Sequence, residues 1–360
     1  MSTQTTVPLP ASHKKPLIRR LLPDRSQKVR RIVQLVFLAL NAWIGLQFYL
    51  WVRYYEHGGH TLYVPRPAGV EGWLPIAGLM NTKFFFLTGH IPVIHPAAMF
   101  LFLAFLLMSL LLKKAFCAWL CPIGTFSEAL WKLGRRFYGR NLHLPRGADI
   151  PLRGLKYLLL GFFGFFIGTM SAEALQSFMF TPYGLITDVK MLNFFRDISL
   201  TGLVVLGLLV LLSTLIQNFW CRYLCPYGAL MGLASLLSPV KIRRDADACI
   251  DCGKCAKVCP ASLPVDQLIQ IRSAECSACM VCVAACPAEN ALQLALPPSR
   301  NPEPARRWTH RVLGPLTVAS AIAYIFFAFV LYAHITSHWQ TNMPHDVYMQ
   351  LVPIANSLTH

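Results

Sequence analysis

The chain has 360 residues, of which 55% are hydrophobic and only 14% charged. A soluble domain carries about 25% charged residues. This composition, with several apolar runs near twenty residues, excludes an ordinary soluble protein and predicts a membrane protein. The formal net charge of +17 would suggest nucleic acid if it formed one basic face, but no nucleic-acid motif accompanies it.

Residues 1–31 read as a basic N-terminal segment with no cleavable signal, because the first apolar run is too long for one. Five transmembrane helices are expected, at Ile32–Val52, Ala97–Phe116, Leu155–Ala174, Leu200–Asn218 and Val312–Ile335. Each is near the roughly 20 residues needed to cross the hydrocarbon core. Lys and Arg alternate between the connecting segments. Residues 1–31 hold eight and 53–96 three; 113–156 hold nine. The next loop holds Lys190 and Arg196, residues 219–311 hold eleven, and the tail after Ile335 holds none. This positive-inside pattern predicts a cytoplasmic N-terminus and a periplasmic tail in a bacterial inner membrane. The expected organisation is a basic segment 1–31, a four-helix domain 32–240, a cytoplasmic domain 241–308, a fifth helix 309–335 and a tail 336–360.

All 12 cysteines fall into four short motifs. Clustered Cys-x2-Cys spacing reads as metal binding, which suits a reducing cytoplasmic side. Cys249-x2-Cys252-x2-Cys255-x3-Cys259-Pro260 is followed by Cys276-x2-Cys279-x2-Cys282-x3-Cys286-Pro287. This is the bacterial dicluster ferredoxin run, twice. In such runs the fourth Cys serves the other cluster. Cluster one is therefore expected on Cys249, Cys252, Cys255 and Cys286, and cluster two on Cys276, Cys279, Cys282 and Cys259. Both are [4Fe–4S] centres. Zinc sites, the alternative, favour paired Cys-x2-Cys with a long spacer.

Cys117-Ala-Trp-Leu-Cys121-Pro122-Ile-Gly124 recurs as Cys221-Arg-Tyr-Leu-Cys225-Pro226-Tyr-Gly228. Both octets follow an apolar run, follow an aromatic residue (Phe116 or Trp220), and precede an amphipathic stretch. They imply an internal duplication about an axis along the membrane normal. Spacing i, i+4 places two sulfurs on one helix face. The following proline ends one helix and can start the next. Two such pairs meeting at an axis offer four thiolates for a third centre, iron–sulfur or a bare metal ion. The other readings are a redox dithiol and small buried hydrophobes.

With both motif types present, the chain resembles the NapH/NosR-type membrane polyferredoxins, which include YccM-like proteins. The resemblance runs from about Arg30 to Val352 and includes Arg66-Pro-Ala-Gly-Val-Glu71-Gly-Trp-Leu-Pro75. It implies electron transfer between the quinone pool, cytoplasmic clusters and a periplasmic redox protein, a cytochrome or reductase. Two departures stand out: there is no room for the periplasmic flavin domain of NosR-like members, and no Cys-x-x-Cys-His haem motif.

Weaker features lie mainly on the expected non-cytoplasmic face. His57, His60, His90, His95, His334, His338, His345 and His360, with Met343 and Met349, could line a quinone or metal site. Interfacial anchoring is the plainer reading. Glu71 and Glu173 lie near span ends. Lys113 and Lys114 precede Cys117 and could offset cluster charge, although such lysines commonly snorkel.

The expectation is an all-α membrane protein of about five helices with an inserted cytoplasmic dicluster ferredoxin domain. It is expected to relay electrons, with membrane lipid, a quinone and a periplasmic redox protein as partners and no nucleic acid. A copper or other metal-ion reductase or assembly factor, and a non-redox anchor subunit, are the alternatives.

Overall fold

The computed structural model describes residues 20, 24–142, 144–297 and 311–358; His360 lies outside them. The first helix, α1 (Ser26–Glu56), leaves Ile32, Leu35, Val36 and Leu46 exposed on its outer face. α2 (Pro75–Thr88) and α3 (Pro96–Leu111) each open on a proline, whose fixed φ suits the first turn and whose missing N–H is not needed there. α4 (Ala115–Trp119) is a single turn, and α5 (Pro122–Tyr138) closes on the left-handed Gly139, where only glycine avoids a Cβ penalty. α6 (Arg146–Thr169) leads through α7 (Ala172–Met179), α8 (Pro182–Leu185) and α9 (Thr187–Arg196) to α10 (Leu200–Leu215). A π-type turn, Trp220–Leu224, then gives α11 (Pro226–Ala234). The cysteine-rich segment holds β1 (Lys241–Arg244), α12 (Lys254–Lys257), α13 (Val281–Ala285) and β2 (Leu292–Ala295). The chain then passes into α14 (Pro315–Ile335) and α15 (His345–Leu351).

Among the described residues, three helices are long and apolar enough to cross a membrane: α1, α6 from Gly147, and α14. α9 and α10 pass that test together but meet at 81°. α3 is apolar over 16 residues, roughly 24 Å at 1.5 Å per residue, short of the ~30 Å hydrocarbon core. The outer faces of α1, α6, α10 and α14 carry rows of exposed Leu, Val and Phe; apolar patches of that kind mark a lipid surface. The chain is a membrane protein, mostly helical.

Two expected spans end early. The run 97–116 stops at Leu111 because Lys113 turns left-handed, φ 62. The run 200–218 stops at Leu215, and Asn218 is left-handed, φ 53. Both breaks turn the chain so that the next residues deliver the cysteine octets. The expected span 155–174 begins earlier, at Arg146. Asp149 in its first turns is held by Arg222 at 2.8 Å and by the Tyr223 hydroxyl at 2.6 Å. It ends at Thr169, where Ser171 caps α7 by accepting from the Ala174 N–H.

The internal repeat is explicit in the helix boundaries. Positions 104 residues apart correspond: Pro96 with Leu200, Leu111 with Leu215, Cys117 with Cys221, Pro122 with Pro226. The packing is exchanged between the copies. α5 of the first copy lies on α10 of the second, and α11 of the second lies on α3 of the first. A pseudo-twofold axis requires that pairing. Gly134 lets α5 sit directly on the backbone of α10, since a Cβ there would stand 1.9 Å from the Thr214 carbonyl oxygen.

β1 and β2 pair antiparallel in the register Lys241↔Ala295 to Arg244↔Leu292. Leu313 N–H continues the ladder onto the Leu294 carbonyl, 2.8 Å, so α14 springs directly from the sheet. Leu101, Met108, Trp119, Val240, Ile242, Leu294, Val318 and Ile322 share one core. The ferredoxin segment is therefore packed onto the helix ends.

Candidate metal centres

The two ferredoxin loops curl in the same way. Asp251 and Gly253 flank Cys252 with positive φ, and Ala278 and Met280 flank Cys279 with positive φ. Alternating left-handed residues turn successive backbone N–H groups inward, the arrangement that receives anionic sulfur. Cys259, Cys276, Cys279 and Cys282 line one small pocket. Burial raises the Cys259 thiol to about 12, with Cys279 and Cys276 as its neighbours. Burial also raises Cys286, whose neighbours are Cys249 and Cys252, and Cys255, which faces Cys249. Cys259 thus shares a pocket with the second run's first three cysteines, and Cys286 lies near Cys249 and Cys252 of the first run. Cys252 is exposed and Cys282 buried.

The four helix-end cysteines, Cys117, Cys121, Cys221 and Cys225, line one cavity of about 510 Å³. Proline places Cys121 (ψ 117) and Cys225 (ψ 104) in extended conformation as N-caps of α5 and α11. Gly228 N–H donates to Cys225 Sγ at 3.2 Å. Cys121 is the matching N-cap of α5, without a side-chain capping bond. Two helix N-termini therefore aim at the same cavity, an environment that favours thiolate. Gly124 must be glycine, because a Cβ would lie 2.3 Å from the Cys117 carbonyl oxygen. Burial nonetheless raises Cys117 to about 11 and Cys221 to about 12. Proton release must accompany metal loading there.

Among the described residues, no three His, Cys, Asp or Glu side chains crowd tightly enough to chelate a single ion. That holds for the ferredoxin runs as well as for the helix ends. A cubane gives each thiolate its own iron and so spaces its ligands more widely than one tetrahedral ion does. Four thiols is the number of donors that a cubane takes.

The loop carrying Cys276 and Cys279 faces the helix-end cavity, which Cys279, Ser277, Pro260 and Ala261 also line. Four contacts hold that loop in place. Trp119 Nε1 donates to Ala278 O at 3.2 Å. Gln27 Nε2 donates to Cys279 O at 2.9 Å. Lys113 Nζ donates to Ser273 O at 3.0 Å. Lys156 clamps Glu275 at 2.6 and 2.7 Å. Sequence reading missed Trp119 and Glu275, since their partners lie more than a hundred residues away.

The cavity continues between α1, α3 and α14 along Phe37, Leu40, Leu101, Phe105, Phe326 and Val330, reaching Trp73 and Trp339. It is largely apolar, like small-molecule sites of this size.

At the opposite end of α3, Arg66 pairs with Glu71 at 2.8 Å and Asp188 at 2.6 Å. Glu71 also accepts from Thr341 Oγ1 at 2.8 Å and from Ala98 N–H at 3.2 Å, and lies 3.3 Å from His95 Nδ1. Burial would raise Glu71, but Arg66, His95 and Thr341 hold it down at about 2. Burial opposes a charge on His95, and its hydrogen bond to Glu71 overcomes this and raises its pKa. This network ties both repeats to the C-terminal segment. Of the expected histidines, His95 is buried here. His57, His60, His90, His334, His338 and His345 lie on the surface, His345 touching the Tyr55 hydroxyl at 2.8 Å. Glu173 is exposed, accepting from Ser171.

Comparison with known proteins places the motifs in families. Residues 94–141 and again 198–245 match a 4Fe-4S binding domain, and 241–287 match a 4Fe-4S dicluster domain. The two copies of the first match each contain one helix-end octet. The chain is 50% identical over 331 residues to the putative electron transport protein YccM of Escherichia coli, covering 92% of this chain and 91% of that protein. It is 24% identical to the ferredoxin-type protein NapH of Escherichia coli, over 72% of this chain and 85% of NapH. It is 31% identical to the regulatory protein NosR of Pseudomonas aeruginosa over 51% of this chain and 25% of NosR. No solved structure matches. The cysteine runs, the duplicated octet and the length of the YccM match agree: the chain belongs to the NapH/NosR/YccM-type membrane polyferredoxins, iron–sulfur electron-transfer proteins.

Proposed function

We propose that the chain relays electrons between its ferredoxin clusters and a periplasmic redox protein by way of a third iron–sulfur centre on Cys117, Cys121, Cys221 and Cys225. The supporting observation is the single cavity that all four helix-end cysteines share with Cys279 of the ferredoxin loop. Cys249, Cys252, Cys255 and Cys286 hold cluster one; Cys276, Cys279, Cys282 and Cys259 hold cluster two. When bound, the clusters supply one-electron redox chemistry. The protein supplies the spacing. Trp119 and Lys113 fix cluster two against the octets, and Gly228 donates its N–H to the Cys225 sulfur.

The apolar arm of the cavity suits a membrane quinone, whose ring would lie beside the octets while its tail leaves between α1 and α14. Arg30 and Glu128, paired at 2.7 Å, line the same cavity and provide polar groups for the ring. In this reading α3 and α10 cross the inner membrane with α1, α6 and α14, as the alternation of Lys and Arg requires. The ferredoxin segment is cytoplasmic, and α15 meets the partner outside.

The test is anaerobic addition of a short-chain quinol to the purified, iron-loaded chain, followed by EPR. Cluster reduction by quinol, lost in Cys225→Ser with both ferredoxin signals retained, is the expected result. Reduction that survives Cys225→Ser would remove the octets from the route.

A further inference from the structure

The four-thiolate site is built with twofold logic, yet one charge breaks its symmetry. Lys114 stands three residues before Cys117. The equivalent position before Cys221 is Asn218, whose amide oxygen accepts from Ser127 Oγ at 3.4 Å. Lys114 is 5% exposed. A methyl group placed on Gly228 would sit 3.5 Å from Cys225 Sγ and 3.6 Å from Lys114 Nζ. The ammonium and that sulfur therefore face one small gap. Lys114 interacts electrostatically with Cys117, Cys225 and Cys221, which come from both repeats, and with Glu275. The neighbouring lysines are engaged elsewhere, Lys113 on the Ser273 carbonyl and Lys156 on Glu275. Lys114 instead lines the cavity.

We propose that Lys114 is the positioning cation of the helix-end centre, one ammonium serving both cysteine pairs and setting that centre's reduction potential above that of the same four thiolates without it. The inference rests on the reading that those thiolates hold an iron–sulfur cluster. One-electron reduction makes such a centre one unit more negative; no bond forms or breaks and no proton moves. Quinol supplies the electron in the proposed route, and dithionite supplies it in the titration below. A fixed cation in a low-dielectric site favours the reduced form, and nearby charge is among the factors that set iron–sulfur potentials. A raised potential would help the centre accept an electron from quinol.

The experiment is an EPR-monitored dithionite titration of the full chain, loaded anaerobically with iron and sulfide. The proteins are wild type, Lys114→Met, Lys114→Arg and the exchange Lys114→Asn with Asn218→Lys. In Lys114→Met the reduced-to-oxidised ratio of the third signal at fixed potential should fall at least tenfold, about 59 mV for one electron. The two ferredoxin signals should keep their midpoints. Arg at 114, and the exchanged lysine across the axis, should restore the wild-type midpoint. A third signal whose midpoint is the same in wild type and Lys114→Met overturns the proposal. If Lys114→Met loses the third signal, the exchange decides: recovery supports the charge, and failure to recover overturns it. A wild-type protein with only two signals and about eight irons defeats the four-thiolate reading itself, a result distinct from an unshifted midpoint.

Discussion

The indole N–H of Trp119 donates to the backbone carbonyl of Ala278 across 3.2 Å, from a side chain that is fully buried. Trp119 lies midway between Cys117 and Cys121 of the first helix-end octet, and Ala278 lies between Cys276 and Cys279. One hydrogen bond therefore joins the membrane motif to the cluster-two loop. In the second octet the same position is Tyr223, whose hydroxyl turns away to Asp149. The duplicated motif has one copy for gripping the ferredoxin segment and one for anchoring α6.

Trp119→Phe retains most of the packing but leaves the Ala278 carbonyl without its donor. An unsatisfied buried group costs about 1–3 kcal/mol, applied here to a loop that holds two cluster ligands. The cluster-two EPR signal should broaden and its cubane should decay faster in air, with cluster one unaffected. Equal effects on both clusters would mean that the bond does not anchor this loop in particular.

Cys259→Ser should damage the cluster on Cys276, Cys279 and Cys282, because Cys259 shares their pocket. Cys286→Ser should damage the other cluster, because Cys286 faces Cys249 and Cys252. Each variant should lose about four irons when both cubanes are counted at eight. Single-variant EPR assigns the losses. If Cys259→Ser spares the Cys276 cluster and weakens the other, the exchange of fourth ligands is wrong.

The cysteine runs were legible because their pattern is local: three cysteines on one tight turn and a fourth before proline, whereas the pocket that Cys259 shares with Cys276, Cys279 and Cys282 is visible only in the fold. The duplicated octets were legible for the same reason. Span ends were harder. Lys113 takes a left-handed conformation that no propensity of Lys predicts, and Asn218 takes one that asparagine adopts readily; the chain turns into an octet after each. Lys114 illustrates the limit best. Its sequence neighbourhood admits either a snorkelling lysine or a charge beside sulfur. The choice depends on Cys225 and Glu275, more than a hundred residues away. His95 and Glu71 were two separate weak features in sequence, and only the fold joins them through Arg66 and Asp188.

Glu71 gives the last test, because its charge state is coupled to folding. Its ordinary value is 4.5, and in the folded chain it is held at about 2. A carboxyl depressed by folding stabilises the folded state above its unfolded value, and that contribution is lost as pH falls from about 4.5 toward about 2. His95, raised by the same carboxylate, acts with the opposite sign: its contribution is present at low pH and is lost as pH rises through its folded value. Glu71→Gln keeps the shape and removes the charge, leaving Arg66 with Asp188 alone and His95 without its anion. Breaking a buried ion pair from one side costs about 3–5 kcal/mol; the remaining Asp188 should hold the loss near the lower figure. Glu128, also held at about 2 by Arg30 once burial is overcome, adds its own acid dependence, so the comparison must be between variant and wild type. Thermal unfolding in detergent at pH 7 should show a lower Tm for Glu71→Gln. The gap should narrow as pH falls below 4.5, since the wild type then loses the interaction that the variant already lacks. A gap that is absent at pH 7, or that stays constant down to pH 3, would show that the Arg66–Glu71 pair does not hold the two repeats and the C-terminal segment together.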